Sequence, residues 1–167
     1  MTNAYLASVK SVLGCVTSQP IVRNSKHFPG ENPLQSLHFP RSPTLLSDSD
    51  LGLEFWHYFR EVWIEDTYEW RVRVESYRYH IVDHRTRHEL FAFHWDPVLK
   101  VTFPHMHLGF GMRGHALPID NKAHIPTGKV PIEDVVVFAI SELRIKPLVP
   151  DWKDKITAAK ERFMQLA

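Results

Sequence analysis

Cysteine is nearly missing: Cys15 is the single one in 167 residues. That excludes an internal disulfide framework and the commonest cysteine-built structural zinc pattern, and it sets the expectation of a reducing, cytoplasmic setting. No apolar run approaches the roughly 20 residues that a membrane-spanning helix needs, so no membrane partner is expected. Strong charge of one sign is lacking as well. Twenty Lys and Arg against nineteen Asp and Glu leave a net charge of +1, too little to coat nucleic acid by charge alone, because such binding scales with the phosphates neutralised. No internal repeat is present.

What the chain has instead is apolar and aromatic bulk. A hydrophobic content of 44% with ten Phe and five Trp is globular composition, far from the signature of disorder, and the length suits one domain with a real core. The charge is unevenly spread. Between Arg71 and Lys129, nine Lys or Arg face five Asp or Glu, a local lean toward an anionic ligand.

In chain order, Tyr5 to Val16 fits a short helix or strand. Pro20, Pro29, Pro33, Pro40 and Pro43 then punctuate the sequence, so residues 1–50 are expected as an irregular arm on a domain spanning 51–167. Ser47 to Asp50 offer helix N-caps before LGLEFWHYFREVW, where Leu51, Phe55, Phe59 and Val62 follow helical spacing; a helix is expected, with a strand as the aromatic-rich alternative. From Tyr68 the period becomes two, through Trp70, Val72 and Val74, then Tyr77, Tyr79 and Ile81. The turn at Asp83 to His88 returns into HELFAFHW, which makes an antiparallel hairpin. VTFPHMHLGF supplies another strand. Ile132, Val135, Val136, Ala139, Ile140 and Leu143 mark a helix after Pro131, and Trp152, Ile156, Ala159, Phe163 and Leu166 mark a last one capped by Asp151. The expected fold is α+β: an antiparallel sheet of about three to five strands, two C-terminal helices packed on one face, and an irregular Pro-rich N-terminal arm.

Chemistry concentrates between Tyr77 and Lys129, which holds eight of the eleven histidines. Histidine is the side chain whose unperturbed charge changes near neutrality, so such a cluster suits acid–base work or metal binding. His105 and His107, two apart on a strand, share one face. As a metal-free base and acid they could cleave RNA through its own 2′-hydroxyl, with His80 and His124 as further candidates. Arg78, Arg113 or Lys129 would hold the phosphate, and Tyr77, Tyr79 or Trp95 would stack a base. In the alternative, a metal-dependent hydrolase or nucleotide-modifying enzyme, the same pair ligates zinc or manganese, completed from Asp96, His80, His94 or His124, with His105, His107 and Asp96 as the first set. The blandest alternative is a structural or interaction module whose histidines only pack and whose surface is the segment around Trp56 and Trp63; His84, His88 and His115 read as turn or surface residues. Whether His80 and His94 share a face depends on the register of the hairpin between them.

Tyr79-His80, then His94-Trp95-Asp96, then Phe103-Pro104-His105-Met106-His107-Leu108-Gly109, followed by a Val- and Glu-rich helix, resembles the TumE-type family of bacterial toxin components over residues 70–143. That family runs Tyr-x-Tyr-His, an Arg-aromatic-Asp segment, and Pro-His-His-x-His with Gly following; here His94 stands in place of the arginine and the last signature is reduced to Pro-His-Met-His. The resemblance implies a toxin paired with an antitoxin protein and acting on RNA or translation. It bears on Tyr79, His80, Asp96, His105 and His107.

Overall fold

A computed structural model of the chain describes residues 2–27, 32–112 and 123–166. Its centre is an antiparallel sheet of eight strands. β1 (Val22–Lys26), β2 (Leu34–His38), β4 (Leu51–Ile64), β5 (Glu69–Asp83), β6 (Glu89–Trp95), β7 (His105–Leu108) and β8 (Ile125–Pro126) lie side by side in that order, and the short β3 (Thr44–Leu45) pairs with the start of β4. Three helices, α1 (Thr2–Leu13), α2 (Ile132–Ser141) and α3 (Trp152–Leu166), complete the described elements.

This corrects the expected fold in two places. The first fifty residues are not an irregular arm: α1 buries Tyr5, Leu6, Val9, Val12 and Leu13 in the core and lies against α3 and α2, while β1, β2 and β3 join the sheet. The helices are therefore a mixed group from both ends of the chain, not a C-terminal pair, and the sheet exceeds three to five strands. Residues 51–64, expected as a helix, form β4. Leu53, Phe55, His57 and Phe59 are buried on its helix side, whereas Glu54, Trp56, Tyr58 and Arg60 alternate on the other. The period-two alternation runs through His57, a polar residue type that is itself buried. Gly52, a poor helix former, and seven aromatic or β-branched side chains, Phe55, Trp56, Tyr58, Phe59, Val62, Trp63 and Ile64, tip the segment toward a strand.

Both helices expected near the C-terminus form. Glu133 and Asp134 occupy the first turn of α2, where acidic groups meet the positive end of the helix dipole. Among the described residues no helix is long and apolar enough to cross a membrane.

Two register shifts shape the sheet, one between Tyr58 and Phe59 on β4 and one between Ile81 and Val82 on β5. At the second, Val82 pairs with Glu89 and Ile81 with Phe91, so Leu90 is the extra residue of a bulge. Such a bulge changes which side chains share a face. Just beyond β7, the Gly109 N–H donates to the Leu90 carbonyl at 2.9 Å. A Cβ on Gly109 would sit 1.9 Å from the Glu89 carbonyl oxygen, which no side chain permits. Gly109→Ala should therefore destabilise the fold by at least about 2 kcal/mol through overpacking. Urea unfolding checks this, and a midpoint equal to wild type would show that the β6–β7 contact is not so close.

Candidate metal centre

Pairing across β5, β6 and β7 gathers the histidines on the face opposite the helices. His94 is directly opposite Arg78 on β5 and His105 on β7, while Ala92 is opposite His80 and His107. Directly opposed residues share a face with Cβ atoms about 5 Å apart, and residues two apart on one strand share it as well. His94, His105 and His107 thus form a triangle by strand geometry alone. One ring nitrogen from each lies within 4.8 Å of the others. A zinc ion with Zn–N bonds of about 2.0–2.1 Å holds its ligands roughly 3.4 Å apart, so side-chain rotation of about an ångström closes the set.

Backbone carbonyls fix the protons on two of these rings. His105 Nδ1 lies 2.8 Å from the Phe103 carbonyl oxygen, which only accepts, so Nδ1 carries the proton and Nε2 the lone pair. His107 likewise donates to the Ala123 carbonyl. An imidazole tied by one N–H to a carbonyl, with its other nitrogen free, is the arrangement of metal-ligating histidines.

His94 is supported from the other side. Its Nε2 is 2.5 Å from His80 Nε2, and the Glu89 and Glu54 carboxylates stand 3.2 and 3.5 Å from His80 Nδ1. The carboxylates keep the proton on Nδ1 of His80, whose Nε2 then accepts from His94 Nε2–H; in that arrangement Nδ1 of His94 has the lone pair. Burial, then the charges of Arg78 and His107, holds His80 down to about 4. His94 is held down to about 3 by burial and then by the neighbouring histidines His80, His107 and His105, with Arg78 adding less. His107 is lowered too, first by burial. Three of the clustered rings therefore favour the neutral form that a metal requires. Glu89 is raised by burial and by Glu54.

His124 is exposed at the rim, its ring centroid 4.8 Å from that of His105 and 4.6 Å from that of His107. It stands outside the triangle of mutually close nitrogens.

The expected site residues divide between the two faces. His80, His105, His107, His124 and Arg78 come together. Tyr79 and Trp95 do not: both lie on the helix side, where Tyr79 is fully buried and the Lys129 ammonium sits 3.7 Å from the centre of the Trp95 ring. None of these three can hold a ligand at the histidines. Asp96, taken forward as a ligand with His105 and His107, instead caps its own loop, accepting the Val98 N–H at 3.1 Å; His94 has the third position. Arg113 and His115 lie outside the described residues. Glu54 went unrecognised because its segment was expected as a helix, whereas β4 sets it directly opposite His80; Glu89 went unrecognised because the Leu90 bulge that brings it to this face is not announced by the turn sequence.

On the same face, beside His94, a groove of about 460 Å³ is lined by Tyr58, Arg60, Arg78, Asp96 and Leu99, among others. Arg78 is exposed there, directly opposite His94.

No family model, curated protein or solved structure matches this chain. The resemblance to the TumE-type family therefore gains no support from relatives, and the chemistry must be argued from the site.

Proposed function

We propose that this chain is a zinc-dependent hydrolase of an anionic ester, with His94, His105 and His107 as the ligands. The observation that carries it is the triangle itself, in which each ring has one N–H engaged and one nitrogen left over. Imidazole sets suit zinc better than manganese, which prefers carboxylates. His94, His105 and His107 would hold the ion, and a zinc bound there would supply Lewis acidity and an activated water near neutral pH.

The chain's own groups take the remaining roles. His80, backed by Glu54 and Glu89, orients the His94 ring. Arg78 is within reach to bind the anionic group, and the groove beside it receives the rest of the substrate. His124 stands exposed at the rim, its ring centroid 4.6 Å from that of His107. A metal-free ribonuclease needs a protonated imidazole as its acid, a state that burial opposes at His80, His94 and His107.

Hydrolysis of bis(4-nitrophenyl) phosphate by zinc-loaded protein tests the proposal. A chelator should abolish turnover, the His105→Ala, His107→Ala double variant should lose at least about a hundredfold in kcat/KM, and Arg78→Ala should mainly raise KM. Turnover that survives both chelator and double variant would sink the assignment.

A further inference from the structure

On the helix side of the sheet there is a cavity of about 580 Å³, well inside the roughly 300–1,000 Å³ range of small-molecule sites. Val9, Val72, Ile132 and Phe163 give it apolar walls. Tyr5, His57, Tyr77, Tyr79 and Glu133 line it too, and all five are buried. Buried polar groups are ordinarily all hydrogen-bonded, so their protons can be counted.

Tyr5 Oη lies 2.6 Å from His57 Nε2, and Tyr79 Oη lies 2.7 Å from Nδ1. His57, at 4% exposure, is neutral and has one N–H and one lone pair. Two hydroxyls and one imidazole thus bring three protons to two hydrogen bonds. One hydroxyl proton is left over, on Tyr79 or on Tyr5 according to the tautomer. Tyr77 adds another, because its oxygen accepts the Val130 N–H at 2.8 Å and its own proton is unused. Among the described residues neither proton meets an acceptor.

Glu133 offers the converse. It takes a hydrogen bond from its own backbone N–H, and no other side chain donates to it among the described residues. The buried part of the cavity therefore presents surplus donors and a surplus acceptor among apolar walls, while the charged residues that also line it, Arg71, Arg73, Lys129, Asp134 and Lys160, are half-buried or exposed and reach solvent. A cationic ligand would satisfy Glu133 but leave the tyrosine protons idle; an anionic one would face the Glu133 carboxylate. A hydroxyl does both jobs, accepting from tyrosine and donating to glutamate.

We propose that this cavity binds a small uncharged phenol or alcohol with an apolar body, held through its hydroxyl between a tyrosine and Glu133. The site is separate from the histidines, which lie on the opposite face of β5, and does not depend on their chemistry.

Three shape-matched probes test it: 4-propylphenol, 4-propylanisole, which accepts but cannot donate, and 4-propyltoluene, which does neither. By calorimetry the phenol should bind at least about tenfold more tightly than the hydrocarbon, with the anisole between them. In the wild-type protein it should shift the methyl NMR signals of Val9, Val72 and Ile132 and leave the imidazole signals of His105 and His107 in place. Glu133→Leu should shrink the preference for phenol over hydrocarbon to about threefold or less. Failure of the phenol to bind at millimolar concentration, equal affinity for all three probes, or shifts confined to the histidine face would each overturn the proposal. The wild-type NMR readout stands even if Glu133→Leu does not fold.

Discussion

Titrated with zinc, the purified chain should take up one ion per molecule and gain thermal stability. A ligand that binds only the folded state at a hundred times its Kd adds about 2.7 kcal/mol. For a protein of this length, that raises Tm by roughly 5–10 °C. The His105→Ala, His107→Ala double variant removes two corners of the triangle and should abolish both the uptake and the gain. His80→Ala leaves the three ligands but frees the His94 ring, and should weaken binding by about ten- to a hundredfold, the usual cost of losing a group that orients a ligand. His84→Ala, in the β5–β6 turn, should do neither. Elemental analysis and scanning calorimetry read these outcomes. One equivalent of zinc retained by the double variant would show that the ion binds elsewhere.

Acid should weaken the fold before it protonates most carboxylates, and His57 is one of three reasons, beside His94 and His80. Buried between Tyr5 and Tyr79, His57 is driven by burial from the usual 6.5 down to about 3. The unfolded chain binds that proton near pH 6.5 while the folded chain refuses it until about pH 3. Between those limits the unfolded state holds more protons, so stability rises with pH. The contribution is complete above pH 6.5 and is lost as pH falls toward 3. At about 1.36 kcal/mol for each pH unit, the loss approaches roughly 4–5 kcal/mol. Glu133, raised by burial, works in the opposite direction, since its cost is relieved on protonation. Urea midpoints at pH 7, 5.5 and 4.5 measure the slope, which His57→Phe should flatten while lowering stability at pH 7 by leaving the two hydroxyls unpaired. Identical slopes in wild type and variant would remove His57 from the account.

The hairpin of β5 and β6, the same-face pair His105 and His107, and the helices α2 and α3 were legible because their periodicity is uninterrupted and caps or turns mark their ends. β4 was not. Phe55 and Phe59 are four apart and satisfy a helix as well as a strand, and the residue that would have decided, His57, is polar by type and core by position. α1 was legible only as a helix-or-strand alternative over Tyr5 to Val16, and its place in the core was hidden by the prolines that follow it: its face of Tyr5, Leu6, Val9, Val12 and Leu13 is helical, but a partner such as Ala159 in α3 is 151 residues from Ser8. At the site, His105 and His107 followed from strand alternation. His94 as the third corner, and the carboxylates behind His80, required pairing across three strands and a bulge, and neither leaves a local mark. Tyr79, Trp95 and Lys129 were drawn to the histidines by closeness in sequence, whereas the pleat sends Tyr79 and Trp95 through to the other side and the loop after β8 brings Lys129 over the Trp95 ring there.

That pleat makes β5 a party wall. Tyr77 and Tyr79 furnish the room on one side, Arg78 and His80 the room on the other, and one backbone thickness divides them. Neither room can be remodelled alone: bulk added at any of these four positions bows the same partition. Substitutions chosen to widen one compartment will register as altered affinity in its neighbour.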